Sequence, residues 1–176
     1  IIAIDSSNYS NNFQLPVGIW NQLASTRNYI SFRVFDNADN VYISTDTFYV
    51  LKDTTPPNAP MLLSPSDNSQ SSVYNINFIW SGSSDDVSGI SFYDLYVSTD
   101  ENFSIIYSSK TSSLTNVSIS VTGGRYYWKV RAKDMGGNYS TWSSTFSVFI
   151  DTIQPHITNN QSGDNIWRKE NNGFYD

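Results

Sequence analysis

The sequence predicts an all-β protein built around a β-sandwich of about seven strands. Apolar residues alternate with polar ones in short runs, as in "NVSISV" at residues 116–121, and no convincing helical periodicity is present. Of the 16 acidic residues only Glu101 and Glu170 are glutamate, and the surface is instead rich in residues that favour turns. Strict alternation gives each sheet one apolar and one polar face, so two sheets would pack around one core.

The first three strands of this sandwich are predicted between residues 61 and 98. The first lies near Met61–Leu63 and ends before Pro65, which cannot donate to a sheet. The second is "VYNINFIW" and the third is "ISFYDLYVS". Alternation places the following residues on the core face: Tyr74, Ile76, Phe78 and Trp80 in the second strand, and Tyr93, Leu95 and Val97 in the third.

Four further strands complete the predicted sandwich. The fourth lies near Ser104–Ser108, and the fifth is "NVSISV". Glycine pairs at residues 123–124 and 136–137 turn the chain into the sixth strand, which begins "RYYWKVRAKD", and the seventh, "TFSVFI". The sixth strand is predicted to be central, and its core face carries Tyr126, Trp128, Val130 and Ala132. Its solvent face is predicted to carry Arg125, Tyr127, Lys129, Arg131 and Lys133.

Several of these landmarks resemble the fibronectin type III pattern. They are Trp80, "YDLYV" in the third strand, and Tyr126-x-Trp128-x-Val130-x-Ala132 in the sixth. The segments "DTTPP", "DDVSGI", "STDENF" and "AKDMGGNYSTWS" resemble the Ig-like and fibronectin type III repeats of large bacterial surface and secreted proteins. The resemblance implies that Trp80 and Tyr126 are core markers, to which alternation adds Tyr93 and Trp128. It also implies a scaffold or binding role, although the "RGD" tripeptide of animal adhesion modules is absent.

A repeat relates two parts of the chain at a spacing of 98 residues. Residues 28–57 align without a gap on residues 126–155, with ten identities in thirty positions. Asp36 and Asn40 thereby align with Asp134 and Asn138. This spacing is close to the length of one small β-sandwich and is too long for a solenoid repeat, so whole domains are repeated.

The repeat divides the chain into modules. We predict that residues 1–52 are the C-terminal part of a preceding Ig-like module, and that residues 53–60 are a Pro-rich linker. Residues 61–151 would form a complete fibronectin type III-like module, and residues 152–176 a second linker with the start of another Ig-like module. The apolar "IIAI" start is typical of a segment excised from a longer chain. Residues 1–52 should expose an apolar sheet face and an unpaired edge.

Composition excludes several classes of function. The net charge of -6 argues against nucleic acid as a partner, because phosphate binding needs a basic surface. The chain has no cysteine, which excludes disulfides, a thiol nucleophile and a zinc–thiolate site. No run of 18 apolar residues is present, so direct insertion into a membrane is not expected. No cofactor is implied.

The candidate catalytic and metal-binding residues are weak. His156 is the only histidine and follows a linker proline, so it reads as an exposed linker residue rather than part of a catalytic triad. Asp85 and Asp86 lack the spacing of a calcium loop, and we expect that they cap turns and hold no metal. The repeated Asp134-x-x-x-Asn138 pattern predicts side chains that hydrogen-bond to the backbone of a turn in a glycine-rich hairpin. No catalytic, cofactor-binding or metal-binding residue is therefore predicted.

The predicted polar face of the sixth strand is the main candidate for a partner site. The third strand should lie beside it, and Asp94 would then form a cross-strand ion pair with Lys129 or Arg131. The alternatives are an ordinary solvated sheet with paired charges, or a shallow aromatic and basic platform for a glycan or a protein. The residues of that platform would be Phe92, Tyr96, Tyr127, Lys129 and Arg131.

Two functions fit these observations. The first is a non-catalytic spacer or adhesive module in a tandem-repeat protein, extracellular or at a cell surface, whose partners are adjacent modules of the same chain and surface proteins or glycans. The second is an accessory spacer or glycan-binding module of a secreted, multidomain enzyme that acts on polysaccharide. The absence of a catalytic constellation supports both functions over an enzyme.

Overall fold

The computed structural model describes residues 15–156, without the side chains of residues 32 and 45–47. The secondary structure within this range is one short helix and ten strands. They are α1 (Val17–Gln22), β1 (Arg27–Phe35), β2 (Val41–Leu51), β3 (Leu62–Ser64), β4 (Ser69–Ser71), β5 (Asn75–Trp80), β6 (Ile90–Ser98), β7 (Ile106–Ser112), β8 (Asn116–Ser120), β9 (Gly124–Asp134) and β10 (Phe146–Ile150). The chain is all-β, as the alternation predicts.

Eight of these strands form a β-sandwich. A three-stranded sheet in the order β3-β5-β8 faces a five-stranded sheet in the order β4-β10-β9-β6-β7. The core between them contains Leu62, Ile76, Phe78, Trp80, Tyr93, Leu95, Val97, Ile119, Val121, Tyr126, Trp128, Val130, Ala132, Val148 and Ile150. Strand β9 is central, because it pairs with β10 on one side and β6 on the other.

Aromatic rings dominate this core because each buries a large apolar area. Trp128 is fully buried, and its ring meets Phe78 edge-on at a centroid distance of 5.1 Å. Trp80 packs against Tyr93 in the same way at 5.7 Å. Trp80, Tyr93, Tyr126 and Trp128, which the sequence marks as core residues, all have at most 5% of their surface exposed.

The structure differs from the prediction at one core residue and adds two short elements. Tyr74 is 56% exposed and precedes β5, and its hydroxyl donates a hydrogen bond to Thr152 instead of entering the core. The sandwich has eight strands because Ser69–Ser71, which has no apolar alternation, pairs in parallel with β10. Helix α1 has only six residues, too few for a helical period to be recognised.

Strands β1 and β2 form a separate antiparallel hairpin. The large apolar residues that it exposes are Tyr29, Val34, Phe35, Val41, Tyr42, Ile43, Phe48, Tyr49 and Leu51. This exposed apolar surface is the one expected for residues 1–52, of which residues 1–14 lie outside the described part. Between β2 and β3, residues 52–61 form no helix or strand.

Candidate functional site

The outer face of β9 is formed by the register between β6 and β9. The strands run antiparallel, and residues that point away from the core lie opposite one another. The facing pairs are Phe92 with Lys133, Asp94 with Arg131, and Tyr96 with Lys129. This neighbourhood of the third and sixth predicted strands is the one that the sequence predicts.

An ion pair fixes the centre of this face. Arg131 Nε and Nη2 lie 3.1 and 3.0 Å from Asp94 Oδ2, and Thr111 Oγ1 donates to Asp94 Oδ1 at 3.0 Å. The predicted cross-strand pair therefore forms with Arg131. The Asp94 carboxylate accepts hydrogen bonds from Thr111 in β7 and Arg131 in β9, and these bonds fix the Arg131 guanidinium in place.

The cations of β9 are stacked between aromatic rings. The Arg131 guanidinium carbon lies 3.9 Å from the Tyr139 ring centroid and 4.7 Å from that of Trp142. Lys129 Nζ lies 4.9 Å from the Trp142 centroid and 3.8 Å from that of Phe103. The result is a cation–aromatic ladder in the order Tyr139, Arg131, Trp142, Lys129 and Phe103. Such stacking stabilises the cations through the ring quadrupole.

Three more predicted face residues lie at the flanks of the ladder. Lys133 Nζ lies 5.3 Å from the Phe92 ring centroid and 4.9 Å from that of Tyr139. The Tyr96 ring lies 4.8 Å from the Trp142 ring, with an interplanar angle of 50°. Rings cover these lysine and arginine side chains, so they are half-buried on the outer face where strand alternation places them.

Among the five predicted platform residues, Tyr127 lies away from the ladder. It lines an open, polar cavity of about 320 Å³ with Asp67, Asn68, Glu101, Arg125, Thr145, Phe146 and Ser147. Arg125 Nη1 donates to Ser147 Oγ at 3.2 Å within this group. The predicted platform is therefore divided, since Phe92, Tyr96, Lys129 and Arg131 adjoin the ladder and Tyr127 belongs to the cavity.

Sequence reasoning did not assign Tyr139, Trp142 and Phe103 to this face. Tyr139 and Trp142 lie in the irregular segment between β9 and β10, and Phe103 lies in the loop after β6. Strand alternation cannot place residues of irregular segments. These rings form a continuous aromatic surface with the cations of β9.

The linker is attached to one end of the sandwich. Pro57 and Pro60 are buried, and the Asn58 backbone N–H donates to the Ser84 carbonyl at 3.0 Å. Asn138 Nδ2 donates to the backbone carbonyls of Asp53 at 3.3 Å and Thr55 at 3.4 Å. Residues 53–60 are thus held against the loops before β6 and after β9.

Asp134 and Asn138 hold the turn that follows β9. Asn138 N and Nδ2 donate to Asp134 Oδ1 at 2.8 Å and to Oδ2 at 2.9 Å. Asp36 accepts the same two bonds from Asn40, at 2.9 and 2.7 Å. The prediction that these side chains hold the turn by hydrogen bonds is confirmed in both copies of the repeat.

Three carboxylates meet where the linker joins the sandwich. Asp53, Asp85 and Asp134 each offer one oxygen, and these oxygens lie within 4.8 Å of one another. Burial of Asp85 favours its neutral form, but hydrogen bonds from the N–H groups of Gly89, Ser88 and Val87 lower its pKa below the usual value. Asp86, its sequence neighbour, is exposed and outside this group.

Two remaining predictions concern the single histidine and membrane insertion. His156 is exposed, as its position after a linker proline suggests. Within residues 15–156, no helix is long and apolar enough to cross a membrane.

Known proteins were compared with the chain by sequence and by structure. No protein-family profile matches the chain. Exoglucanase B of Cellulomonas fimi is 32% identical over 148 residues, which is 76% of this chain and 13% of that protein. The chain is similar to fibronectin type III modules. It spans only 13% of its curated relative, so it corresponds to a module of that enzyme and not to the whole.

Two solved bacterial structures illustrate the similarity. The CbhA fibronectin(III)-like modules of Clostridium thermocellum are 17% identical, with a TM-score of 0.47 over 79% of this chain and 70% of theirs. A Fn3-like protein from the same organism is 21% identical, with a TM-score of 0.41 over 57% of this chain and 100% of its own. Both TM-scores are below 0.5, so the sandwich assignment rests on the sheet order of the chain itself.

Proposed function

We propose that the chain is a non-catalytic spacer segment of a longer extracellular protein, in which attached linkers hold neighbouring β-sandwich modules at fixed separations. The division into residues 1–52, 53–60, 61–151 and 152–176 is part of this proposal. The observation that carries it is the attachment of residues 53–60 to the sandwich. A linker with two buried prolines and hydrogen bonds at both ends is expected to behave as a stiff joint.

Two settings would use such a spacer. A tandem array at a cell surface needs modules that extend a distal domain from the envelope. A secreted, multidomain enzyme that acts on polysaccharide needs modules that separate its catalytic and binding domains. The sequence similarity to a segment of Exoglucanase B favours the second setting. Both settings imply an extracellular location.

A binding role is the second candidate function. Its support is the aromatic surface formed by the half-buried Tyr96 and Trp142 and the exposed Tyr139, because flat rings stack well on sugars and on protein partners. Its cations are already stacked on rings, and Arg131 is paired with Asp94. The surface would therefore bind a partner through aromatic contact and not through free positive charge.

Distances between spin labels test the spacer proposal. The chain has no cysteine, so Asn37→Cys and Ser113→Cys place one label on the exposed β1–β2 turn and one on the exposed β7–β8 turn. We expect pulsed electron paramagnetic resonance to give a narrow distribution of distances between the two labels. A distribution as broad as that of a flexible tether would overturn the proposal.

Matched proline variants locate the stiffness. Pro57→Gly removes a buried linker proline and should broaden the distance distribution, whereas Pro56→Gly changes an exposed neighbour and should leave it nearly unchanged. Equal broadening by both variants would mean that attachment of the linker does not set the separation.

Polysaccharide binding tests the second candidate. We expect the full chain to show weak or no retention on cellulose and on a glycan array. Retention that the double variant Tyr96→Ala, Trp142→Ala abolishes would instead establish the aromatic surface as a glycan site.

A further inference from the structure

The carboxylate group at the linker joins three segments that are far apart in sequence. Asp53 opens the linker after β2, Asp85 lies in the loop between β5 and β6, and Asp134 ends β9. One oxygen from each lies within 4.8 Å of the others. Two oxygens bound to one Ca²⁺ are separated by at most about 5 Å, so this spacing suits a shared ion.

The charge of this group is not balanced by a basic side chain. Within residues 15–156 the ion pair present is Arg131 with Asp94, and it lies on a different face. Asp134 is only 1% exposed, so water screens its charge poorly. Like charges at such distances repel strongly in a partly buried site. The arrangement therefore calls for a cation.

One buried carboxylate oxygen of this group has no hydrogen-bond partner among the described residues. Asp85 Oδ2 accepts hydrogen bonds from the backbone N–H groups of Val87, Ser88 and Gly89, at 3.1, 2.8 and 2.9 Å. Asp85 Oδ1 is buried and accepts no hydrogen bond from any described residue. An unsatisfied carboxylate oxygen is costly, and a metal ion would satisfy it. One oxygen of the Asp85 carboxylate lies within 4.8 Å of oxygens of Asp53 and Asp134, so this carboxylate adjoins the rest of the group.

The hydrogen bonds that Asp53 accepts leave its carboxylate available to an ion. Asp53 Oδ1 accepts from the Thr55 N–H at 2.9 Å, and Oδ2 accepts from the Ser88 hydroxyl. Each carboxylate oxygen has a second lone pair, so these bonds do not exclude coordination. Gly136 packs so closely on Asp53 that an added Cβ would lie 2.8 Å from Asp53 Cβ. The linker carboxylate is thus held in place.

We propose that Asp53, Asp85 and Asp134 bind one calcium ion that fastens the linker to the sandwich. The donors are all carboxylate oxygens, which are ligands of hard cations, and backbone carbonyls or water would complete the coordination. This differs from the expectation that Asp85 holds no metal, whereas Asp86 remains outside the site. The purpose of the site rests on the proposed spacer function, but the binding itself does not.

Calcium titration of the full 176-residue chain tests the site directly. After treatment with a chelator, Ca²⁺ should shift the amide signals of Thr55, Gly89 and Gly136 in a saturable, one-to-one manner. We expect a dissociation constant of roughly 0.1–1 mM, as in extracellular calcium modules. The thermal midpoint should rise by several degrees, or about 3–6 °C, in ~10 mM Ca²⁺. Linear, unsaturable shifts and an unchanged midpoint would overturn the proposal.

Matched variants locate the ion. Asp53→Asn keeps the acceptor for Thr55 and removes one ligand charge, so calcium affinity should fall at least tenfold. Asp86→Asn removes the same charge from an exposed neighbour and should leave the affinity within about twofold. Equal losses in the two variants would mean that calcium responds only to net charge, and would contradict the site. Asp134→Asn provides a second ligand variant if Asp53→Asn does not fold.

The spin-label distances separate this inference from the spacer proposal. Saturable calcium binding with a broad distance distribution would leave the site standing and remove the spacer function. A narrow distance distribution without saturable calcium binding would support the spacer function and overturn the calcium site.

Discussion

The two copies of the repeat, the hairpin β1–β2 and the strand pair β9–β10, share a local sequence but differ in burial. Both carry the Asp-x-x-x-Asn turn with the same hydrogen bonds. Val34 is 53% exposed in the first copy, whereas its equivalent Ala132 is fully buried in the second. The turn is a local product of its residues, but burial requires a second sheet, which only β3, β5 and β8 provide among the described strands.

The same contrast appears at the linker. Gly136 packs against Asp53, and its equivalent in the first copy is Ala38, an exposed residue. Asp134 is buried beside Asp53 and Asp85, whereas Asp36 is exposed. A repeated motif thus acquires a joint, and the proposed calcium site, only where a linker packs on it.

The largest effect is expected from the core of the second copy. Trp128→Ala removes a fully buried ring in contact with Phe78 and Phe146, and should lower the free energy of unfolding by about 3–5 kcal/mol. Val34→Ala, on the exposed strand of the first copy, should change it by less than about 0.5 kcal/mol. Urea unfolding followed by tryptophan fluorescence and circular dichroism measures both. Comparable losses would mean that β1 is covered in solution.

A smaller effect is expected from the glycine beside the linker. Gly136→Ala forces its new Cβ against Asp53 and should destabilise the chain by about 1–3 kcal/mol, as overpacking does. The reverse exchange at the equivalent position, Ala38→Gly, should cost less than about 1 kcal/mol because Ala38 is exposed. Thermal unfolding of the two variants under identical conditions gives the comparison, which fails if Gly136→Ala is neutral.

The two turn asparagines sharpen the contrast further. Asn138→Ala removes bonds to Asp134 and to the carbonyls of Asp53 and Thr55, and should cost about 1–2 kcal/mol. Asn40→Ala removes only exposed bonds within its own turn and should cost less than half as much. Chemical unfolding measures the difference, and equal costs would mean that the Asn138 contacts to the linker contribute nothing.

The smallest effect concerns pH and a loop of the sandwich. Burial of Asp100 favours its neutral form, but N–H groups of Ile105, Ser104 and Asn102 and the Ser98 hydroxyl together lower its pKa from 3.8. The pKa of the folded state is below that of the unfolded chain, so the stabilisation is present above about pH 4 and is lost as pH falls through the folded value. Asp100→Asn should therefore lower the thermal midpoint at pH 6 and have little effect near pH 2. A pH-independent difference would contradict this assignment.

Much of the sandwich could be predicted from the sequence because alternation is a local signal of a strand with one buried face. Strands β6 and β9 and their core residues follow from it directly. Strand β4 could not be predicted, since Ser69–Ser71 has no apolar pattern and its pairing with β10 depends on the whole fold. Tyr74 was misplaced because the strand begins at Asn75, two residues after the start of the predicted run "VYNINFIW".

The candidate sites were less predictable because they join distant segments. Asp85 and Asp86 were judged by local spacing, yet the carboxylates that meet Asp85 come from Asp53 and Asp134. The cations of β9 lie on the predicted outer face, but the rings from irregular segments that cover them could not be predicted. Sequence patterns carry no information on which loops meet at the end of a sandwich.

Hydrogen exchange of backbone amides in the full chain tests most directly whether one complete sandwich carries the stability of this segment. The account predicts strong protection in β5, β6 and β9, and protection at least a hundredfold weaker in β1 and β2, which lack an opposing sheet. Equal protection in the hairpin and the sandwich would contradict it, because the hairpin would then be part of a second packed core.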